Sequence, residues 1–295
     1  MENRRILNST PIYMLSVQEA RERMDQYLMK HQAVEKVKET LNIVIPCIWG
    51  KMDARVYIPV CGDGRKALIF FHGGGWTLNG IDTYEELCTA LANRTGRVVV
   101  SPEFRLAPEH KFPAAVEDAA STVQWVFDHA ESLGIMGDKI AVGGDSSGGA
   151  LATAAAMYFR DRGGVPVEKQ VLLYPVTDYY IPGTQSYETY GTGYMIDRNF
   201  LIWGWNHYIR STDDLSNPYL CPLRAEDLSH MPETLIIIAE RDVVRDEGEM
   251  YGEKMKKCGC KVVVHRYDGA MHGFLMNTRL KISRKALDEV GVFLK

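Results

Sequence analysis

The run Val142-Gly143-Gly144-Asp145-Ser146-Ser147-Gly148-Gly149-Ala150 constrains this chain more than any other stretch. It holds Gly-x-Ser-x-Gly at Gly144, Ser146 and Gly148. A short apolar run, Lys139-Ile140-Ala141-Val142, leads into it, and small residues from Ala150 to Met157 lead out at helical length. Strand, tight turn with a serine at its tip, then helix is the context that makes this short pattern a nucleophile elbow. Such a turn strains the serine backbone and brings its neighbours close, so the flanking positions call for glycine.

The rest of the chain supplies a sheet for the elbow to stand on. Apolar strands are predicted at 67–71, 97–101, 140–142, 170–174, 234–239 and 261–265. Helices are predicted between and after them, at 84–93, 114–133, directly after Ser146, at 247–257 and at 284–293. Strands that are apolar throughout and separated by helices argue for a parallel sheet covered on both faces. Upstream, residues 16–37 carry helical periodicity, with Ala20, Met24, Tyr27 and Leu28 on one face. Runs at 42–48 and 54–59 suit an antiparallel pair. A length of 295 residues with 46% apolar side chains fits one α/β domain, 1–295, with a large core and an insertion.

That insertion is residues 178–217, rich in aromatic side chains. Inserted segments of α/β folds tend to sit above the strand C-termini, where ligands bind. It is therefore expected to cap a pocket. Trp76, Tyr194, Trp203 and Trp205 are the aromatic residues expected to line it.

A serine hydroxyl is a weak nucleophile and needs a base, a group to orient that base, and donors for the developing oxyanion. Phe70-Phe71-His72-Gly73-Gly74-Gly75-Trp76 follows a predicted strand, and its glycines let backbone N–H groups face one point. The expected oxyanion donors are the N–H groups of Gly73, Gly74 and Ser147. For the base, the order Ser, acid, His leaves His207, His230, His265 and His272. His272 is favoured, because Gly269-Ala270-Met271-His272-Gly273 reads as a loop between the last strand and the last helix. The acid belongs after the preceding strand, which points to Asp242, with Asp246 in reserve. Asp246 and Glu247 instead suit a helix N-terminus.

Other classes find less support. The formal charge is -4 with no basic stripe, so nucleic acid is not an expected partner. Cys47, Cys61, Cys88, Cys221, Cys258 and Cys260 have no metal-ligand spacing and read as reduced thiols. The N-terminal residues do not read as a signal peptide, and no apolar run is long enough to span a bilayer. A cytoplasmic protein without metal or cofactor is the expectation. A homodimer is neither required nor excluded.

His72-Gly73-Gly74-Gly75, Arg105-Leu106-Ala107-Pro108-Glu109, Gly144-Asp145-Ser146-Ser147-Gly148, Asp242-Val243-Val244-Arg245-Asp246-Glu247-Gly248 and Met271-His272-Gly273-Phe274 occur in that order. In these motifs the chain resembles the hormone-sensitive lipase family of α/β-hydrolases, in its microbial carboxylesterase branch. The resemblance implies an α/β-hydrolase fold with a mostly parallel sheet of about eight strands and a helical cap formed by about 1–40 and 178–217. It implies Ser146, Asp242 and His272 as a triad, with His72, Gly75 and Asp145 in support. It further implies a small-molecule ester substrate with a short acyl group, acetyl to hexanoyl. Deacetylation of sugars or other small metabolites is an alternative. So is amide hydrolysis, or a non-catalytic ligand-binding role like that of the plant gibberellin receptors, which lack the histidine. Three departures stand out: Phe104 for the usual Tyr, Ser147 for the commoner Ala, and Val243-Val244 for Pro-Leu. None removes a catalytic group.

Overall fold

The computed structural model describes residues 10–62 and 65–295. Its strands are β1 (Glu39–Cys47), β2 (Gly50–Ile58), β3 (Ala67–Phe71), β4 (Val98–Pro102), β5 (Ile140–Asp145), β6 (Val167–Leu173), β7 (Glu233–Arg241) and β8 (Val262–Met271). They form one sheet in the order β1-β2-β4-β3-β5-β6-β7-β8. β1 and β2 form an antiparallel hairpin, and β2 pairs antiparallel with β4. Every pairing from β4 through β8 is parallel. The mostly parallel sheet expected from the alternation is therefore what forms.

The helices are α1 (Val17–His31), α2 (Glu85–Thr95), α3 (Ala114–Asp128), α4 (Ser147–Arg162), α5 (Gln185–Thr189), α6 (Arg198–Tyr208), α7 (Arg245–Lys257) and α8 (Lys281–Phe293). Successive strand residues point to opposite faces, and β3 shows the result. Ala67, Ile69 and Phe71 enter one core with residues of α3, α4 and α7. Leu68 and Phe70 enter a second core with residues of α2 and α8. Burial on both faces is why these strands read as unbroken apolar runs.

Several boundaries differ from expectation: the helix expected over 114–133 ends at Asp128, and two others have a visible cause. The first helix starts on a capping box, in which Ser16 Oγ accepts the Glu19 N–H and Glu19 Oε2 accepts the Ser16 N–H. It ends at His31 rather than near residue 37. The Ala33 N–H donates to Glu86 Oε2 at 2.7 Å and the Glu35 N–H to Thr89 Oγ1 at 3.2 Å. These side chains of α2 capture backbone that would otherwise extend the helix. The last strand runs to Met271 rather than stopping near His265. Asp268-Gly269 looks like a turn, but Gly269 sits at φ +75 with its N–H on Glu240 Oε2, opposite a register shift between Ala239 and Arg241. The glycine serves a bulge, and the strand continues to the residue before His272.

Of the segments expected to form a cap, residues 1–9 lie outside the described residues. In 178–217 the chain forms α5, α6 and one short 3-10 turn, Thr212–Ser216. Asp197 caps α6 by accepting the Phe200 N–H at 2.9 Å. Among the described residues, no helix is long and apolar enough to cross a membrane.

Candidate active site

The turn between β5 and α4 holds Ser146 at φ 53, ψ -123. That is left-handed backbone, which costs a non-glycine residue about 1–3 kcal/mol. Three hydrogen bonds fix it. The Ser146 N–H donates to Leu173 O at 2.9 Å, and its carbonyl accepts from Gly149 N–H at 3.0 Å and Val176 N–H at 3.1 Å. The flanking glycines are steric necessities. A Cβ at Gly144 would lie 2.2 Å from the Gly148 carbonyl oxygen, and one at Gly148 2.0 Å from that of Phe71.

Ser146, Asp242 and His272 each follow the C-terminal end of a parallel strand, β5, β7 and β8. The structure brings them together. His272 Nε2 lies 2.9 Å from Ser146 Oγ, and its Nδ1 lies 2.7 Å from Asp242 Oδ2. The other oxygen of Asp242 accepts the Val244 N–H at 3.0 Å. Asp242 is buried, so its carboxylate is directed at His272 by fixed donors rather than by water. Asp246 is elsewhere: it accepts the Ser186 N–H and pairs with Arg245, both at 2.8 Å. His207 Nδ1 meets Trp203 O, and His265 pairs with Glu289. Tyr174, at φ 38, lays its ring 4.9 Å from that of His272, and burial with nearby carboxylates raises its phenol well above the ordinary range.

The glycine loop after β3 departs from expectation at one position. The Gly73 N–H is already taken: it donates to Asp145 Oδ1 at 2.8 Å and meets the Tyr84 hydroxyl at 3.0 Å. It is an anchor, not a free donor. Gly74 at φ +120 and Gly75 at φ +62 follow, and among the described residues their N–H groups meet no acceptor. Ser147 opens α4, where an N–H has no intrahelical acceptor. Among the described residues, the N–H groups left without an acceptor at this turn are thus those of Gly74, Gly75 and Ser147.

Asp145 is held by the Gly73 N–H and by the Tyr84 hydroxyl, which donates to Oδ2 at 2.9 Å. Burial nonetheless pushes its carboxyl up to about 6. His72 lies beneath the same loop, fully buried, and burial pushes its imidazole down to about 4. The neutral ring then donates from Nδ1 to Gly73 O at 2.8 Å and stacks on Phe104 at 4.2 Å.

A cavity of about 330 Å³ opens above Ser146 and His272. Met24, Tyr27 and Leu28 of α1 line it, as do Met195, Ile196 and Phe200 of the insertion. Both expected cap segments therefore contribute walls. The aromatic residues expected there do not. Trp76, Trp203 and Trp205 are all buried and outside the lining. Large rings lose most water-exposed area by packing on one another. Trp76 stacks on Tyr208 at 4.5 Å and 9° and touches Trp205 at 4.7 Å, while Trp203 packs on Phe200 and His207. Tyr194 lines a neighbouring groove of about 250 Å³, which shares Met24, Tyr27 and Met195 with the cavity.

Several residues that hold the site carry no sequence signal of their own. Tyr84 is one. Glu86 is another, accepting from the Ala33 N–H and from both the N–H and hydroxyl of Thr278, each at 2.7 Å. The motif 105–109 had a signal without a role. In the structure Glu109 takes a two-pronged pair from Arg21 of α1, at 2.8 and 2.7 Å, while Arg21 Nε donates to Thr77 O. Among the described residues, no group of three or more His, Cys, Asp or Glu is arranged to hold a metal ion.

Residues 68–276 match the alpha/beta hydrolase fold family. An arylesterase of Saccharolobus solfataricus is 36% identical over 279 residues, covering 94% of this chain and 90% of that protein. An esterase of Pyrobaculum calidifontis superposes with a TM-score of 0.91 at 39% identity, over 95% of this chain and 93% of that one. An ester-hydrolase from the metagenome of Lake Arreo superposes at 0.93 with 31% identity, over 99% and 97%.

Proposed function

The chain belongs to the alpha/beta hydrolase fold family, in the microbial carboxylesterase branch of the hormone-sensitive lipase group, and is a serine carboxylesterase; from that premise we propose that Ser146, His272 and Asp242 hydrolyse small soluble esters through an acyl-enzyme. One observation carries the assignment of roles: a single imidazole lies within hydrogen-bond reach of both Ser146 Oγ and Asp242 Oδ2.

Ser146 Oγ attacks the ester carbonyl while His272 Nε2 takes its proton. Asp242 keeps the other ring proton on Nδ1 and stabilises the imidazolium. Negative charge on the carbonyl oxygen is met by the N–H groups of Gly74, Gly75 and Ser147, each donor being worth about 3–4 kcal/mol in the transition state. The C–O bond breaks, and the leaving alkoxide takes the proton from His272. A water then attacks the acyl-enzyme, giving its proton to Nε2, and the acid leaves as Ser146 regains its hydrogen.

The cavity supports a small substrate. About 330 Å³ is at the small end of the roughly 300–1,000 Å³ typical of ligand sites. That supports acyl groups from acetyl to hexanoyl. Ser146→Ala is expected to fold normally and lose more than about a thousandfold in turnover. An organophosphonate is expected to label the parent once, at Ser146. Near-normal hydrolysis by the alanine variant would overturn the triad. Faster turnover of emulsified long-chain triglyceride than of soluble butyrate esters would overturn the substrate class.

A further inference from the structure

Three consecutive residues of the glycine loop have positive φ: Gly74, Gly75 and Trp76, the last at φ 57. The first two are free to adopt it. Trp76 is not, because its Cβ crowds the backbone there. The conformation matters, since the Gly75–Trp76 peptide closes the loop that carries two of the free N–H groups. Something must hold Trp76, and the structure supplies three restraints. Its carbonyl accepts the Ala107 N–H at 2.8 Å. Its ring is stacked on Tyr208. Its N–H donates to the hydroxyl of Ser147 at 3.2 Å.

The last restraint is the informative one. Ser147 directly follows the nucleophile, and its own N–H is one of the three free donors. Its side chain is fully buried and is no part of the cavity lining. The hydroxyl therefore does not meet substrate. Among the described residues it is the sole acceptor for the Trp76 N–H, and an alanine at this position would remove it. One residue thus reaches both halves of the oxyanion site, its backbone serving one half and its hydroxyl clasping the other.

We propose that the Ser147 hydroxyl is a positioning residue of the oxyanion site: it holds the left-handed Trp76 and thereby aims the Gly74 and Gly75 N–H groups. The proposal rests on the oxyanion assignment given above. The hydroxyl acts only through the loop, so its loss should be felt where charge develops and not where substrate binds.

The test is Ser147→Ala, which keeps the backbone donor and removes only the clasp, alongside Ser147→Thr, which restores a hydroxyl. Both are assayed on a soluble butyrate ester, with a trifluoromethyl ketone as transition-state analogue. For Ser147→Ala we expect kcat to fall about tenfold with KM within twofold, and ketone affinity to fall in step with kcat/KM. The pH dependence of kcat/KM should keep its midpoints, because no titrating group has changed. Ser147→Thr should recover at least half of the lost kcat. A merely structural hydroxyl would lower the melting temperature and leave kcat unchanged, which overturns the proposal. A raised KM at constant kcat overturns it too. Ser146→Ala in the same assay separates the levels: full activity there would sink the nucleophile, whereas a dead Ser146→Ala beside an unaltered Ser147→Ala sinks only the clasp.

Discussion

Asp145 offers a sharp test of how the site is held, because its cost depends on pH. Its carboxyl is raised from 3.8 to about 6 by burial. The sign follows from linkage. Below about pH 3.8 the group is protonated in both folded and unfolded chains and costs nothing. Between there and about pH 6 the unfolded chain ionises first, so folding loses stability as pH rises. Above about pH 6 the loss is complete, at about 3 kcal/mol for a shift of this size. Asp145→Asn removes the ionisation. It keeps an acceptor for the Gly73 N–H but sets an NH₂ group against the Tyr84 hydroxyl, a cost of about 1 kcal/mol that does not vary with pH. The quantity to measure is therefore a difference of differences. Urea unfolding of parent and variant at pH 4 and pH 8 should show the variant gaining about 2–3 kcal/mol relative to the parent over that interval. Titrating groups that do not sense the Asp145 charge cancel in the comparison. A flat difference would mean Asp145 is not raised by burial. A variant that loses ground as pH rises would mean its donors hold the carboxylate below the usual range, and the account of the loop anchor would fail.

Three further outcomes follow from the packing around the site. A Cβ at Gly204 of α6 would stand 3.3 Å from the Gly75 carbonyl oxygen. Gly204→Ala should gain about 1 kcal/mol of helix propensity yet lower kcat several-fold, and an unchanged kcat would show that α6 does not bear on the oxyanion loop. Glu86→Ala leaves the Ala33 and Thr278 N–H groups without their acceptor; it should cost about 2–4 kcal/mol and expose residues 32–38 to faster amide exchange, which parent-like exchange would contradict. Met195, like Met24 and Tyr27, lines both the cavity and the groove beside it. Met195→Ala should raise the ratio of octanoate to butyrate kcat/KM by about tenfold, and an unchanged ratio would show that Met195 does not set chain length.

How far the sequence reveals this protein depends on the range of the interaction read. Ser146, Asp242 and His272 stand directly after strands, and the elbow announces itself because backbone contacts exclude any side chain at Gly144 and Gly148. Such constraints are local and leave a local pattern. The oxyanion loop was legible as a loop but not donor by donor. Gly73 and Gly75 look alike in sequence, and only Asp145 and Tyr84, brought in from β5 and the start of α2, decide which N–H is spent. The pocket walls were least legible. An aromatic-rich insertion above a site suggests aromatic walls, but Trp76, Trp203 and Trp205 bury more area against one another and against Tyr208 and Phe200. The walls fall instead to methionine and aliphatic side chains such as Met24 and Met195, together with other rings, Tyr27 and Phe200. That outcome is settled by packing between segments far apart in the chain, and it has no periodic signature.

The same long-range contacts explain why so much strain can collect in one place. Among the described residues, the non-glycine positions with positive φ are Trp76, Asn79, Ser146, Tyr174 and His230. All but His230 border the site. Each costs about 1–3 kcal/mol on its own, and the burial of Asp145 adds to the sum. The four at the site are also restrained: Ser146 by three backbone hydrogen bonds, Trp76 by Ser147, Ala107 and Tyr208, Tyr174 by its N–H on Ile237 O, and Asn79 by its amide on Gly73 O. A backbone held this way does not relax when charge appears on the substrate, so its N–H groups need no reorganisation at that moment. On the function proposed above, the strain and the buried carboxyl are the cost of a rigid oxyanion site rather than defects of the fold.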